Sequence, residues 1–454
     1  MLSRLGARLT HLSQRYVPAP FTLALTLTLI SLVGGLLYAG GQAPVVLTSW
    51  LEGSGGGKGF WNLLSFGMQM CLILVTGHAL ASSPPCRRLL DALAERAMGP
   101  RASIAVVAVT AMSLGLVNWG LGLVGGALLA RRVGELARER DISIHYPLVA
   151  AAGYCGMLIW HAGLSGSAPL KVTRQADLAE VLGAELAAEV GALPLQATVL
   201  SPANLAVVAT LVVMVPWMLT RMLPGAGERV GPPSSVAEEA GDDDDVRTPA
   251  RRLDGSRALA WLIAAAGLTT WASTVWKIGL GKLDPNLLNF VFLFVGLALH
   301  GSPRAYGLAV GEAAKGCGGI ILQFPFYAGI MGILAGTGLL AAAATALASV
   351  GSAALPAMGF YSAGFVNLFV PSGGGQWAVQ GPALMRAALD TGASPSQMLM
   401  ALAYGDQWTN MLQPFWALPL LAIARVEARA IVGYTAAVML VSQLVFIAGL
   451  YLGW

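Results

Sequence analysis

Long apolar runs separated by short polar loops fill most of this chain. A helix needs about 20 mostly apolar residues to cross the hydrocarbon core of a bilayer. Nine runs are close to that length or exceed it: 19–40, 61–82, 146–170, 203–223, 258–276, 286–301, 316–336, 396–424 and 430–453. The pattern therefore predicts an all-α polytopic membrane protein with about nine transmembrane helices.

Two further apolar stretches, 102–130 and 353–385, are interrupted by glycine and proline. Arginines flank the first of them on both sides: Arg87, Arg88, Arg96 and Arg101 before it, and Arg131, Arg132, Arg138 and Arg140 after it. Because basic residues mark the cytoplasmic side of a membrane, this stretch should enter and leave on the same side. We predict that both stretches are re-entrant hairpins.

The distribution of basic residues also predicts an orientation. With nine spans, two hairpins and a cytoplasmic N-terminus, six of the 27 Lys and Arg residues lie outside and the other 21 inside; the six are Lys58, Lys171, Arg174, Lys277, Lys282 and Arg386. We therefore expect a multi-pass protein of the cell inner (plasma) membrane. Residues 1–18, with Arg4, Arg8 and Arg15 at near-helical spacing, are predicted to be a cytoplasmic amphipathic start.

Composition agrees with this class and excludes others. The chain is 56% hydrophobic and only 11% charged, which excludes a water-soluble globule and a disordered chain. Its basic residues lie in loops, so the net charge of +4 does not indicate nucleic acid. The sequence contains no phosphate-loop pair, Ser-His-acid set or zinc ligand set, so we expect neither an enzyme nor a cofactor.

One polar stretch, 224–257, divides the chain into a first half, 19–223, and a second half, 258–454. Its composition, including the run Asp242 to Asp245, predicts a disordered cytoplasmic linker.

The halves share three short similarities in the same order, at offsets of 254, 249 and 250: Gln69 with Gln323, Asn118 with Asn367, and Tyr154 with Tyr404. Since the hairpins open to opposite sides, we predict an inverted repeat, as in many secondary transporters.

The tips of the two hairpins are rich in glycine and are followed at once by helical sequence. Residues 371–377 read Pro-Ser-Gly-Gly-Gly-Gln-Trp, and residues 118–125 read Asn-Trp-Gly-Leu-Gly-Leu-Val-Gly. Exposed amides at a positive helix N-terminus suit a carboxylate, and nearby carbonyl groups suit a small cation. The alternative is that these glycines only permit close helix packing, as the GxxxG of Gly122 and Gly126 would.

The third element of each repeat is also broken, at 160–169 and 404–414. Asp406 lies in the second of these, and an acid inside a membrane segment is costly and usually functional. It would bind a cation or carry a proton; the alternative is a solvated position at the outer interface. His161 is the other titratable candidate, with a structural hydrogen bond as its alternative role.

Seven blocks of sequence together resemble the short-chain fatty acid transporter family (AtoE type), over nearly the whole chain. They are 15–21, 59–70, 75–83, 117–122, 323–330, 370–377 and 403–408 with 413–419. The resemblance places the chain in an ion-transporter superfamily that includes sodium–dicarboxylate symporters. It implies two re-entrant hairpins, an elevator-type movement, a homodimer, and short-chain monocarboxylates such as butyrate or acetoacetate as substrates.

The resemblance also implies roles for residues at the tips. One tip would contain Asn118, Gly120 and Gly122, and the other Asn367, Ser372, Gly373, Gly374, Gly375 and Gln376. Ser372 and the tip amides would bind the carboxylate, while Trp377 and Trp408 would form a wall along the acyl chain.

The coupling ion would be Na⁺ or H⁺. The predicted sodium ligands are Asn118, Asn367 and Asp406, and Asn410 is a further coupling candidate. A sodium-coupled di- or tricarboxylate transporter and a passive anion channel remain as alternatives. The tips contain no basic residue for a second carboxylate, which favours a monocarboxylate.

Overall fold

The computed structural model describes residue 15 and residues 18–53, 59–233, 248–278, 285–339, 342 and 353–453. All regular structure in these residues is helical, which confirms the predicted all-α membrane protein. Seven helices or helix series within them are long and apolar enough to cross a membrane. Most of the predicted start at 1–18, and the run Asp242 to Asp245, lie outside the described residues.

Numbered in chain order, the first half contains α1 Pro20–Tyr38, α2 Ala43–Glu52, α3 Leu64–Ser82, α4 Pro84–Arg96, α5 Ala102–Val117, α6 Trp119–Glu139, α7 Tyr146–Tyr154, α8 Ser167–Lys171, α9 Gln175–Leu182, α10 Ala184–Val190 and α11 Pro202–Arg221. The linker 224–257 contains α12 Pro249–Asp254 among its described residues. The second half, with one preceding residue, contains α13 Arg257–Ile278, α14 Pro285–His300, α15 Pro303–Ala314, α16 Gly318–Gly336, α17 Leu355–Asn367, α18 Gly373–Thr391, α19 Pro395–Thr409, α20 Pro414–Ala424 and α21 Ala428–Tyr451.

Each of the nine predicted spans coincides with helix, and two of them are broken. In 146–170, two short 3-10 turns, Cys155–Leu158 and Trp160–Ala162, separate α7 from α8. In 396–424, the turn Asn410–Leu412 separates α19 from α20. Pro414 fixes the second break, because a residue before proline is driven to extended backbone and Gln413 has φ −90° and ψ 115°.

The two glycine-rich stretches form helix pairs. Helices α5 and α6 reverse at Asn118, and α17 and α18 are joined by residues 368–372. Their arms are close enough that a Cβ on Gly122 would lie 2.5 Å from the Cα of Gly115. Helix α6 runs past the predicted end at 130 to Glu139, because ion pairs such as Arg131–Glu135 (2.9 Å) continue it into the polar region.

The helices pack as two bundles. The outer bundle consists of α1, α2, α3 and α13 to α16, and the hairpin bundle consists of α5 to α11 and α17 to α21. They meet where α3 and α16 contact α20, and where α3 contacts α6. The two hairpins and both broken spans therefore share one bundle, which presents α6 and α20 to the other.

Candidate functional site

The first tip is a capped helix start. Asn118 adopts extended backbone, with φ −156° and ψ 131°, and its Oδ1 accepts hydrogen bonds from the backbone N–H groups of Gly120 (2.9 Å) and Leu121 (3.3 Å). This is the preferred role of asparagine before a helix. The backbone N–H of Trp119, the residue directly after Asn118, donates to Ser165 Oγ at 3.0 Å. The tip is thus fixed to the broken segment 160–169, and the Asn118 oxygen serves mainly as a cap.

The second tip has the same design. Ser372 caps α18, and its Oγ accepts from the backbone N–H of Gly375 at 3.2 Å. Gly373 contacts the other half of the protein so closely that a Cβ there would lie 2.7 Å from both His161 Cε1 and Ser167 Oγ. Above Gly374 the nearest atom to an added Cβ would be 3.9 Å away. The positive end of α18 therefore lies directly against His161, while an added methyl group at Gly374 would make only ordinary contact.

His161 and Asp406 form a buried pair. Their Nδ1 and Oδ2 atoms are 2.6 Å apart, and the side chains are 0% and 1% exposed. The backbone N–H of Ala168 donates to His161 Nε2 at 3.1 Å, so Nδ1 carries the ring proton and donates it to Asp406. Asp406 is thus inside the protein rather than in water. The two residues are 245 positions apart, so no local pattern could have paired them.

Asn367 joins Asp406 to the following turn. Its Nδ2 donates to the backbone O of Asp406 (2.7 Å), to Thr409 Oγ1 (3.0 Å) and to Asn410 Oδ1 (2.8 Å). The structure therefore brings three of the predicted cation residues together, Asn367, Asp406 and Asn410. Asn118 lies at the other tip, where its oxygen has the capping role described above.

Three amide oxygens around this tip are buried and have no hydrogen-bond donor among the residues that the structure describes: Asn367 Oδ1, Gln376 Oε1 and Gln413 Oε1. Their nitrogens donate to backbone carbonyls of Asp406, Ala363 and Asn367, which fixes the orientation of each amide. Such unpaired oxygens are costly in a protein interior. Carbonyl oxygens are ligands that hard cations accept, so each of these three oxygens has the chemistry of a ligand for a small cation.

Comparisons with known proteins place the chain in a family. The family model described as "Short chain fatty acid transporter" matches residues 1–453. A provisionally named short-chain fatty acid transporter of Escherichia coli strain K12 is 38% identical to this chain, over 100% of both chains. Another, from Haemophilus influenzae, is 36% identical, over 99% of this chain and 100% of that one. This chain belongs to the short-chain fatty acid transporter family. The family is one of transporters rather than enzymes.

Two solved transporters are also weakly similar to this family member. The YdaH transporter of Alcanivorax borkumensis has a TM-score of 0.40, and MtrF of Neisseria gonorrhoeae, assigned to a class of antimetabolite efflux pumps, has 0.41. Each is 17% identical, and the matches cover 95% of this chain and 97% and 95% of the solved chains.

Trp377 and Trp408, which were predicted to form a wall along the acyl chain, have surroundings that differ from each other. Trp377 is fully buried in α18. Trp408 packs against Phe360 and Tyr361, with ring centroids 4.9 and 5.9 Å away, and its indole N–H donates to Met439 O at 2.7 Å. Its contacts thus lie with α17 and α21, on the side of α19 that packs against them.

Sequence reasoning missed three tryptophans that do lie near the tips: Trp119, Trp160 and Trp416. Trp119 begins α6 at the first tip, Trp160 is in the broken segment beside His161, and Trp416 is in the first turn of α20. Each is within a few residues of a glycine or proline break, and that signal could have identified them.

Proposed function

We propose that this protein is a secondary active transporter that moves short-chain fatty acids, monocarboxylates like butyrate or acetoacetate, across the inner membrane by cation-coupled alternating access. The observation that carries the proposal is the contact of Gly373, at the N-terminus of α18, with the buried His161–Asp406 pair. A helix N-terminus favours an anion. A carboxylate held there by Ser372 and the amides of Gly373 and Gly374 would lie beside a group that holds a cation.

Charge explains why the two would be coupled. With a neutral imidazole, the His161–Asp406 pair carries one negative charge inside a membrane segment, which is costly on its own. A bound carboxylate adds a second negative charge. Binding one cation at Asp406 offsets this repulsion, so the anion and the cation would bind together and cross together.

Two cations fit this scheme. Na⁺ would use Asp406 with the unpaired amide oxygen of Asn367, and a proton would reside on Asp406 itself. Asn410 Oδ1 accepts a hydrogen bond from Asn367 Nδ2 at 2.8 Å. Asn410 would therefore position Asn367 as the sodium ligand, rather than bind the substrate. Asn118 would contribute to the substrate site as the cap of α6 at the first tip.

The packing of the helices supports a mechanism of alternating access. The hairpin bundle contains both tips and both broken spans, while the outer bundle contacts it mainly through α3 and α16. In an elevator-type movement, the hairpin bundle with its inverted repeat would slide past the outer bundle. We further propose membership of the ion-transporter superfamily named above, with a cytoplasmic N-terminus and a homodimer formed through the outer bundle.

The test is uptake of labelled butyrate into proteoliposomes, under a sodium gradient or a pH gradient imposed separately. We expect saturable uptake driven by one gradient and lost in Asp406→Asn. Glu189→Gln is the control, because Glu189 is half exposed and pairs with Arg386 at the protein surface. Non-saturable uptake would indicate a channel. Uptake of succinate or citrate in place of butyrate would refute the substrate class.

A further inference from the structure

Three indole rings contact one another beside the tips. The ring centroids of Trp119 and Trp416 are 5.2 Å apart, those of Trp160 and Trp416 6.3 Å, and those of Trp119 and Trp160 6.5 Å. The rings come from the first tip, from the broken span 146–170 and from the broken span 396–424. We call these three residues the tryptophan trio.

Trp160 links the trio to the second tip. Its ring stacks on His161 with a centroid distance of 4.4 Å and an interplanar angle of 13°. A Cβ on Gly373 would lie 3.0 Å from Trp160 Cη2, so the edge of the indole contacts the N-terminus of α18. The trio therefore lies beside the groups that we propose for the carboxylate.

Trp160 also carries an unpaired donor. The side chain is 4% exposed, and its indole N–H has no acceptor in the described part of the chain. Buried indole N–H groups usually have a hydrogen-bond partner. A carboxylate oxygen of a bound substrate is an acceptor of the required kind.

Trp416 connects the trio to the outer bundle. Its ring lies 5.9 Å from Phe66 of α3 and 5.2 Å from Phe415, and Phe415 stacks on Phe324 of α16 at 4.2 Å. The apolar surface thus begins at His161 and continues to the contact between the bundles. An acyl chain whose carboxylate lies at the second tip would extend along this surface.

We infer that the tryptophan trio forms the acyl-chain pocket and limits the length of the fatty acid, with Trp160 also donating its N–H to the carboxylate. This inference rests on the proposed function and replaces the wall predicted from Trp377 and Trp408. Indole faces bury methylene groups well, and each buried methylene strengthens binding about fourfold. The rings contact one another, so an acyl chain would lie beside them, and the ring at the far end would limit its length, which selects short chains.

The experiment measures uptake of straight-chain acids from acetate to octanoate by wild type, Trp416→Leu and Trp119→Leu in proteoliposomes. We expect the octanoate-to-butyrate ratio of kcat/KM to rise at least tenfold in both variants, because the smaller side chain lengthens the pocket. Trp276→Leu is the control for loss of a tryptophan, since Trp276 is 91% exposed on α13. Trp160→Phe keeps the ring and removes the N–H, so KM should rise about tenfold for every acid without a change in their order.

Two further variants make the result decisive. If Trp408→Leu shifts the chain-length profile and the trio variants do not, the trio is not the pocket and the wall predicted from sequence is. Unchanged profiles in Trp416→Leu and Trp119→Leu, with wild-type butyrate uptake, overturn this inference alone. Absence of monocarboxylate uptake in the wild type overturns the proposed function as well. Trp416→Phe, which alters volume less, gives the same comparison if Trp416→Leu does not fold.

Discussion

A single methyl group at the second tip provides the sharpest test of the site geometry. In Gly373→Ala, the new Cβ would lie 2.7 Å from His161 Cε1 and from Ser167 Oγ, and 3.0 Å from Trp160 Cη2. Ordinary contact begins at 3.4 Å, so one side must move by about 0.7 Å. His161 cannot easily move, because Trp160 stacks on its face and Asp406 holds Nδ1. The tip has to move instead.

Overpacking of this kind costs roughly 1–3 kcal/mol. If that cost appears when the tip closes over substrate, kcat/KM for butyrate falls about 5- to 150-fold, since 1.4 kcal/mol corresponds to a factor of ten. The assay is saturable uptake in proteoliposomes, with thermal unfolding in detergent to confirm that the protein folds.

Gly374→Ala is the matched control. It adds the same methyl group one residue along the same helix, where the nearest atom is 3.9 Å away. Both substitutions change helix propensity equally, so the comparison isolates the contact with His161. We expect the loss in Gly373→Ala to be at least fivefold larger than in Gly374→Ala. Equal losses would refute the reasoning that the second tip closes against His161.

Three further predictions follow from the polar contacts. Asn118→Ala removes the cap of α6 and should lower the free energy of unfolding by about 1 kcal/mol, measurable as a lower melting temperature, whereas Asn118→Asp should retain most of it. Burial, followed by the charge of Arg229, lowers the pKa of His145 from 6.5 to about 4. Between pH 4 and 6.5 the folded state thus binds fewer protons than the unfolded state, so this contribution to stability is full above pH 6.5 and is lost as the pH drops towards 4. In His145→Gln, the melting temperature should depend less on pH over that range. Arg386→Gln breaks the surface pair with Glu189 and should leave the melting temperature nearly unchanged, because exposed ion pairs contribute little to stability; a clear fall in melting temperature would contradict this.

The sequence by itself determined the class of the protein and its family. Membrane helices are specified by hydropathy over about 20 residues, which is a local property, and the nine predicted spans all coincide with helix. Both hairpin turns were also predictable. Asn118 and Ser372 each precede a helix that they cap, and a cap is decided within about four residues. The orientation in the membrane and the inverted repeat stay predictions.

Only the tertiary structure decided which polar and aromatic groups meet. Asp406 was a candidate from its cost in a membrane segment, but its partner His161 is 245 residues away. Trp408 and Trp416 are equally plausible from sequence, yet Trp408 packs towards α21 while Trp416 lies with Trp119 and Trp160. The side on which a residue emerges near a broken span depends on how each half-helix rotates and packs. Local sequence patterns do not determine this rotation. It is set by the packing of the two hairpins against the broken spans.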